Sequence, residues 1–255
     1  MKRNDAPAWP IRKKTIKLVL VMLPIVFAFN VLEAQQKFPE PVGDDDTGFQ
    51  SIFDGESLKG WEGDPTYWRV KDGSIIGEVT PETILKRNSF LIWRGGQPGD
   101  FELKLEYRVS KDGNSGVNYR SVQVEDTPYA LKGYQCDIDG KGRWTGQNYE
   151  ERARKFLALR GQFTQIMNAE EPKAYATVGD KEELLNFINE EDWNECHIIV
   201  RGNTMVHVIN GQVMSVVIDN DTENRKNKGL LGVQVHVGPP MTIAYRNIRL
   251  KEFNQ

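Results

Sequence analysis

The chain has only two cysteines, Cys136 and Cys196, in 255 residues. That scarcity excludes a disulfide-stapled scaffold, and no Cys/His spacing suited to zinc occurs. The two thiols read as buried small apolar groups, with their pairing left open. Histidine is also sparse, at three residues. Internal repeats, low-complexity tracts and a dense acidic loop of the EF-hand kind are missing. There is no basic excess either: 33 Lys+Arg stand against 36 Asp+Glu, a net charge of −3. Residues 1–34 hold six basic and two acidic side chains (+4), so the remainder carries −7. An acidic body lacks the basic face that phosphates demand, which argues against a nucleic-acid partner and suits a neutral ligand such as a sugar.

Long apolar runs are limited to Leu18–Phe29, interrupted by Pro24 and preceded by basic residues up to Lys17. This run is shorter than the ~20 residues a spanning helix needs. It reads as a removed export signal over residues 1–34, with Ala34 before the cut and no cysteine nearby to carry a lipid. The expectation is a periplasmic or secreted protein with no permanent membrane span in its mature form. Residues 35–47 read as a linker, with Pro39 and Pro41 opposing helix and Asp44–Asp46 staying solvated.

What remains is sufficient for one domain, residues 48–255. Turn dipeptides (Asp54-Gly55, Asp72-Gly73, Asp112-Gly113, Asn210-Gly211) punctuate short alternating runs. Those runs include Phe101–Val109, Val117–Val124, Tyr134–Asp139, Met205–Ile209 and Ile243–Lys251. Asn210-Gly211 is a strong hairpin signal, and many short strands mean a sandwich or barrel. Residues 140–192 differ, being polar and irregular. Their charged stretches Glu150–Leu159 and Lys181–Glu190 predict helices, the second capped by Asp180. A long insert of this kind suggests a lid or cleft wall.

Sorting each strand into two faces gives candidate site residues. Val117 and Tyr119 share one face, Asn118 and Arg120 the other. Tyr134, Cys136 and Ile138 oppose Gln135, Asp137 and Asp139. Val233, Val235 and Val237 oppose Gln234 and His236. Amide, carboxylate, guanidinium and imidazole groups suit directional bonding to hydroxyls. Asn118, Arg120, Gln135, Asp137, Gln234 and His236 are therefore expected on one wall, with Trp93, Trp144 and Tyr149 as sugar-stacking surfaces. A solvated sheet face without ligand would give the same alternation. His197 and His207 lie in apolar strands and read as structural.

Several segments, taken in order, resemble the 3-keto-disaccharide hydrolase domain family. They are Phe53-Asp54-Gly55 to Gly60-Trp61, Trp68–Gly73, Asn114-Ser115-Gly116 to Arg120, Leu231–His236 and Tyr245–Ile248. The resemblance runs from about Phe49 to Phe253. It departs at Gln135-Cys136-Asp137-Ile138-Asp139, where many members carry Glu-x-Gln. There it resembles a subgroup with a following Tyr-Glu-Glu-Arg, here Tyr149–Arg152. The resemblance implies an all-β, two-sheet antiparallel jelly roll of the concanavalin A type, here with the helix-containing insert. It also implies cleavage of glycosides whose C3 hydroxyl has become a ketone. Such a ketone acidifies C2–H, so the reaction needs a base, a donor at the C3 oxygen and an acid for the leaving oxygen.

The resulting expectation gives His236 or Asp137 the base role, Arg120 the developing enolate, and Glu150 or Asp139 the leaving group. Asn118, Gln135, Asp139, Gln234, Trp144 and Tyr149 would bind substrate. The rival mechanism is an ordinary glycosidase using two of Asp137, Asp139 and Glu150. Asp137, Asp139, Glu150 and His236 could alternatively hold a calcium-like divalent cation. Two non-enzymatic readings stand beside these: a lectin-like carbohydrate-binding module and an interaction protein of the cell envelope.

Overall fold

Strands form where β-branched and aromatic residues alternate with polar ones, and they break at Asp-Gly and Asn-Gly pairs. The computed structural model describes residues 46–168 and 170–253; the predicted signal and most of the linker lie outside them. In chain order the strands are β1 (Gln50–Ser51), β2 (Trp61–Glu62), β3 (Trp68–Lys71), β4 (Ser74–Val79), β5 (Ser89–Trp93), β6 (Phe101–Val109), β7 (Asn114–Gln123), β8 (Leu131–Asp139) and β9 (Asn148–Glu151). They continue as β10 (Lys155–Ala158), β11 (Gln162–Ile166), β12 (Lys173–Thr177), β13 (Asn194–Arg201), β14 (Thr204–Ile209), β15 (Gln212–Asp219), β16 (Leu230–Val235) and β17 (Met241–Glu252).

These strands build the expected two-sheet sandwich. A ten-stranded sheet runs β12-β11-β15-β14-β13-β6-β17-β4-β3, with β1 also on β17. A seven-stranded sheet runs β10-β9-β8-β7-β16-β5-β2. Pairing is antiparallel except between β11 and β15. The Asn210-Gly211 hairpin forms between β14 and β15, both residues taking the positive φ that its turn needs.

The core lies between the sheets. Val117, Tyr119, Tyr134, Cys136 and Val233 meet Leu105, Tyr107, Ile198 and Tyr245 there. Each such side chain contributes roughly 1.5–3 kcal/mol. Cys136 and Cys196 are buried free thiols reaching in from opposite sheets, their sulfurs 3.8 Å apart. His207 is structural, as expected. Its ring lies 2.9 Å from the Tyr119 hydroxyl and 3.1 Å from the Gln147 carbonyl, and burial pushes its pKa down to about 4.

The helical insert is not seen. Residues 148–158 form the β9/β10 hairpin, and only a five-residue 3-10 turn, Glu183–Phe187, occupies the second predicted helix. Charged composition misled here, because β9 and β10 pair along the sheet edge and half of β9's polar side chains find partners inside. Asp180 does cap the turn, accepting from the Glu182 and Glu183 N–H groups at 2.8 and 3.1 Å. Asp46 is exposed, as expected, and also pairs with Lys104 and Arg249. Among the described residues no helix is long and apolar enough to cross a membrane.

Candidate functional site

On the face of the seven-stranded sheet turned from the core lies a cleft of about 340 Å³. It is lined by Asn88, Asn114, Gln135, Asp137, Trp144, Tyr149, Glu151, Phe156 and His236. Alternation on β8 places Gln135 and Asp137 there, because Tyr134, Cys136 and Ile138 are claimed by the core. Cross-strand register adds Tyr149, opposite Gln135, and Glu151, opposite Gly133. His236 follows immediately after β16.

An amide chain organises the floor. Gln234 donates to Gln135 Oε1 at 3.0 Å, and Gln135 donates to Asp137 Oδ1 at 2.6 Å. Gln135 lies across Gly116, where a Cβ would stand 2.5 Å from its Cδ, so the motif glycine is a matter of space. Asn88 donates to Glu151 Oε1 at 3.3 Å and accepts from the Val237 N–H at 2.9 Å, tying Glu151 to the loop that carries His236.

The aromatic wall comes from the misread insert. Phe156 stands 5.5 Å from Trp144 and edge-on to Tyr149 at 5.1 Å, centroid to centroid. Trp144 is positioned from below. Asp139, side chain fully enclosed, accepts from the N–H groups of Arg143, Trp144 and Thr145 at 3.2, 2.7 and 3.1 Å.

Burial drives the titratable groups apart. The Asp137 carboxyl is pushed up to about 8, chiefly by desolvation, with Glu151 and Asp139 adding like charge. Glu151 is also raised by burial, against the opposing effects of Arg152 and hydrogen bonds from Asn88 and Gln234. Burial lowers His236, so its imidazole is neutral at neutral pH. Tyr149 is raised first by desolvation and then by Glu151 and Asp137, so it keeps its phenolic proton.

Of the eleven candidate residues, Asp137, His236, Gln135, Trp144 and Tyr149 line this cleft. Arg120 does not. A β-bulge sets Arg120 and Ser121 against one residue of β8, and Arg120 takes a φ of 45°, so its side chain leaves the expected face. Its buried guanidinium bonds the carbonyls of Gly99, Gly202 and Lys226 and pairs with Asp100 at 3.0 Å. Glu150 is also misplaced: it points inward and meets Arg154 at 2.5 Å, within a buried cluster containing Asp219 and Asp221. Its neighbour Glu151 occupies the cleft.

Asp139 shapes the Trp144 loop and does not face the cleft. Asn118 and Gln234 share the Gln135 face by register but are sealed beneath it, at 0% exposure. Both polar atoms of the Asn118 amide lack a partner among the described residues, a cost of roughly 1–3 kcal/mol per group. Trp93 belongs to the core. The cation set of Asp137, Asp139, Glu150 and His236 is thus dispersed, and among the described residues no group of three or more Asp, Glu, His or Cys is placed to hold a metal.

Missed residues had unequal signals. Asn114 stands two residues before Gly116 and four before Asn118, on the same face, and alternation could have found it. Glu151 and Phe156 were hidden by the helical reading. Asn88 lies in a loop and carries no periodic signal.

The family described as the 3-keto-alpha-glucoside-1,2-lyase-like domain matches residues 48–251. A 3-keto-disaccharide hydrolase of Bacteroides thetaiotaomicron is 36% identical over 87 residues, 31% of this chain and 30% of that protein. A solved protein of Parabacteroides distasonis, provisionally assigned as a glycosyl hydrolase, superimposes with a TM-score of 0.55 at 15% identity, covering 85% of this chain and all (100%) of the other. A carbohydrate-binding module of Bacillus subtilis, CBM66, gives 0.51 at 13% identity over 76% of this chain and 96% of the module. At such identities the solved structures support the sandwich fold alone.

Proposed function

The chain belongs to the 3-keto-alpha-glucoside-1,2-lyase-like domain family, and from that premise we propose that its cleft cleaves the glycosidic bond of 3-keto-glycosides by elimination. The observation that carries this reading is one cleft holding a proton-retaining carboxyl, a neutral imidazole and a second carboxylate: Asp137, His236 and Glu151. Groups whose environments separate their pKa values are suited to divided acid and base roles.

His236 takes the proton from C2, and the C–H electron pair forms the enolate with the C3 carbonyl. Tyr149 and Asn114, whose side-chain donors have no other hydrogen-bond acceptor among the described residues, are the donors toward the C3 oxygen. The enolate collapses to a C1=C2 double bond as the C1–O bond breaks, its electron pair leaving with the glycosidic oxygen. Asp137 supplies that oxygen with a proton. Water added across C1=C2 makes the net reaction a hydrolysis; without it the product is an unsaturated sugar. Burial keeps Asp137 in its protonated form, and Glu151 adds to that through like charge. Trp144, Tyr149 and Phe156 supply the stacking surface.

The structural likeness to a sugar-binding module keeps one rival alive, a lectin-like role without turnover. Incubating residues 48–255 with a 3-keto disaccharide and with its unoxidised parent separates the two. Product from the oxidised sugar alone supports the enzyme. Binding without product supports the module, and indifference to both sugars contradicts each.

A further inference from the structure

A second hollow, of about 370 Å³, lies behind the aromatic wall, and Trp144 lines both it and the cleft. Its remaining charged lining is Lys141, Arg143, Arg160 and Lys181 against Glu182. Three of the cations already have carboxylates. Lys141 pairs with Asp112 at 2.7 Å, Arg143 with Asp139 at 3.4 Å, and Lys181 with Glu182 at 3.4 Å.

Arg160 is different. It is only 6% exposed, and its guanidinium donates to two backbone carbonyls, those of Lys181 at 2.8 Å and Thr145 at 2.9 Å. Among the described residues no carboxylate lies within ion-pairing distance of it, and its Nη2 makes no hydrogen bond. Glu182 and Asp139 favour its charge only from beyond pairing distance, so a buried guanidinium bonded to neutral carbonyls is incompletely compensated, because a charge removed from water needs a paired opposite charge or a full set of acceptors. A guanidinium is also the group best shaped to bind an oxyanion through paired N–H donors. Neither the neutral 3-keto ring nor the proposed elimination uses this charge.

We propose that this hollow is a subsite for an anionic group, a carboxylate or sulfate, on the sugar or aglycone linked to the 3-keto ring. The proposal rests on the glycoside-cleaving reading of the cleft and narrows its substrates to acidic glycosides. A ligand seated in the cleft and stacked on Trp144 needs only to continue past that ring to bring its anion to Arg160, with Lys181 at the exposed rim.

The test compares three 3-keto disaccharides that differ at the second residue: glucose, glucuronate and glucose 6-sulfate. The acidic substrates should show kcat/KM at least about tenfold above the neutral one, with the preference shrinking as salt rises. Lys181→Glu, at an exposed side chain, should remove most of the preference and leave neutral cleavage unchanged. Arg160→Gln should remove it wholly, and its folding is checked by circular dichroism. The two acidic arms separate carboxylate from sulfate recognition. Equal kcat/KM for all three overturns the acidic subsite while the proposed function stands. If nothing is turned over, calorimetric titration with free glucuronate and glucose decides. Tighter glucuronate binding that Lys181→Glu abolishes keeps the subsite and overturns the function; no discrimination overturns the subsite as well.

Discussion

At the scale of single residues, Asp137 couples stability to the proposed chemistry. Its carboxyl keeps a proton in the fold to about pH 8, whereas in the unfolded chain it ionises near 3.8. Between those values the folded state binds the extra proton, so this group's contribution to stability is complete at low pH and is lost as pH rises through that window. Asp137→Asn removes the penalty. The variant should be more stable than the parent at pH 7, by at most ~4 kcal/mol, with the difference vanishing near pH 4; paired thermal melts at the two values check it. The same variant should lose about 100-fold or more in turnover, since an amide cannot protonate the leaving oxygen.

Glu151 gives a second residue-scale prediction. The pH–rate profile should be a bell, with an alkaline limb near pH 8 from Asp137 and an acid limb below the ordinary imidazole range from His236. Glu151→Gln removes a like charge from beside Asp137, so the alkaline limb should move to lower pH while the acid limb stays. A limb that does not move would detach Glu151 from the role given to it.

At the scale of elements, what was legible followed pleat alternation. β8 was readable because its core face is unbroken, and Asp137 and Gln135 fell where alternation put them. The same rule failed on β7, where the bulge at Arg120–Ser121 interrupts the period; nothing in Tyr119-Arg120-Ser121 announces a positive φ at an arginine. It also failed for β9, where Glu150 and Glu151 look alike in sequence and only the strand pairing tells inward from outward. Reading Glu150–Leu159 as helix erased that distinction and hid Phe156 with it. The helical reading rested on charge, whereas the actual state is set by an available sheet edge, a tertiary fact.

At the scale of the whole molecule, the sandwich separates stability from chemistry. The two sheets close over one apolar core, and the cleft sits on the opposite face of the seven-stranded sheet. Arg120 belongs to the first task. Its four partners lie on connections at one end of the sandwich: Gly99 and Asp100 before β6, Gly202 between β13 and β14, and Lys226 before β16. Arg120→Met should therefore cost about 3–5 kcal/mol, because three carbonyls lose their donor and Asp100 is left with only the Gly202 N–H. The protein that still folds should keep its kcat, which denaturant titration and active-site counting together can read. A catalytic arginine would give the reverse pattern, intact stability with lost turnover.

Proton abstraction leaves its mark on the hydrogen at C2. A 3-keto disaccharide carrying deuterium at C2 of the oxidised ring should be cleaved several-fold more slowly than its protium form, and the released sugar should have lost that deuterium, replaced by solvent hydrogen wherever water has added. Retention of the C2 deuterium in the product at an undiminished rate would contradict proton abstraction by the Asp137–His236–Glu151 cleft.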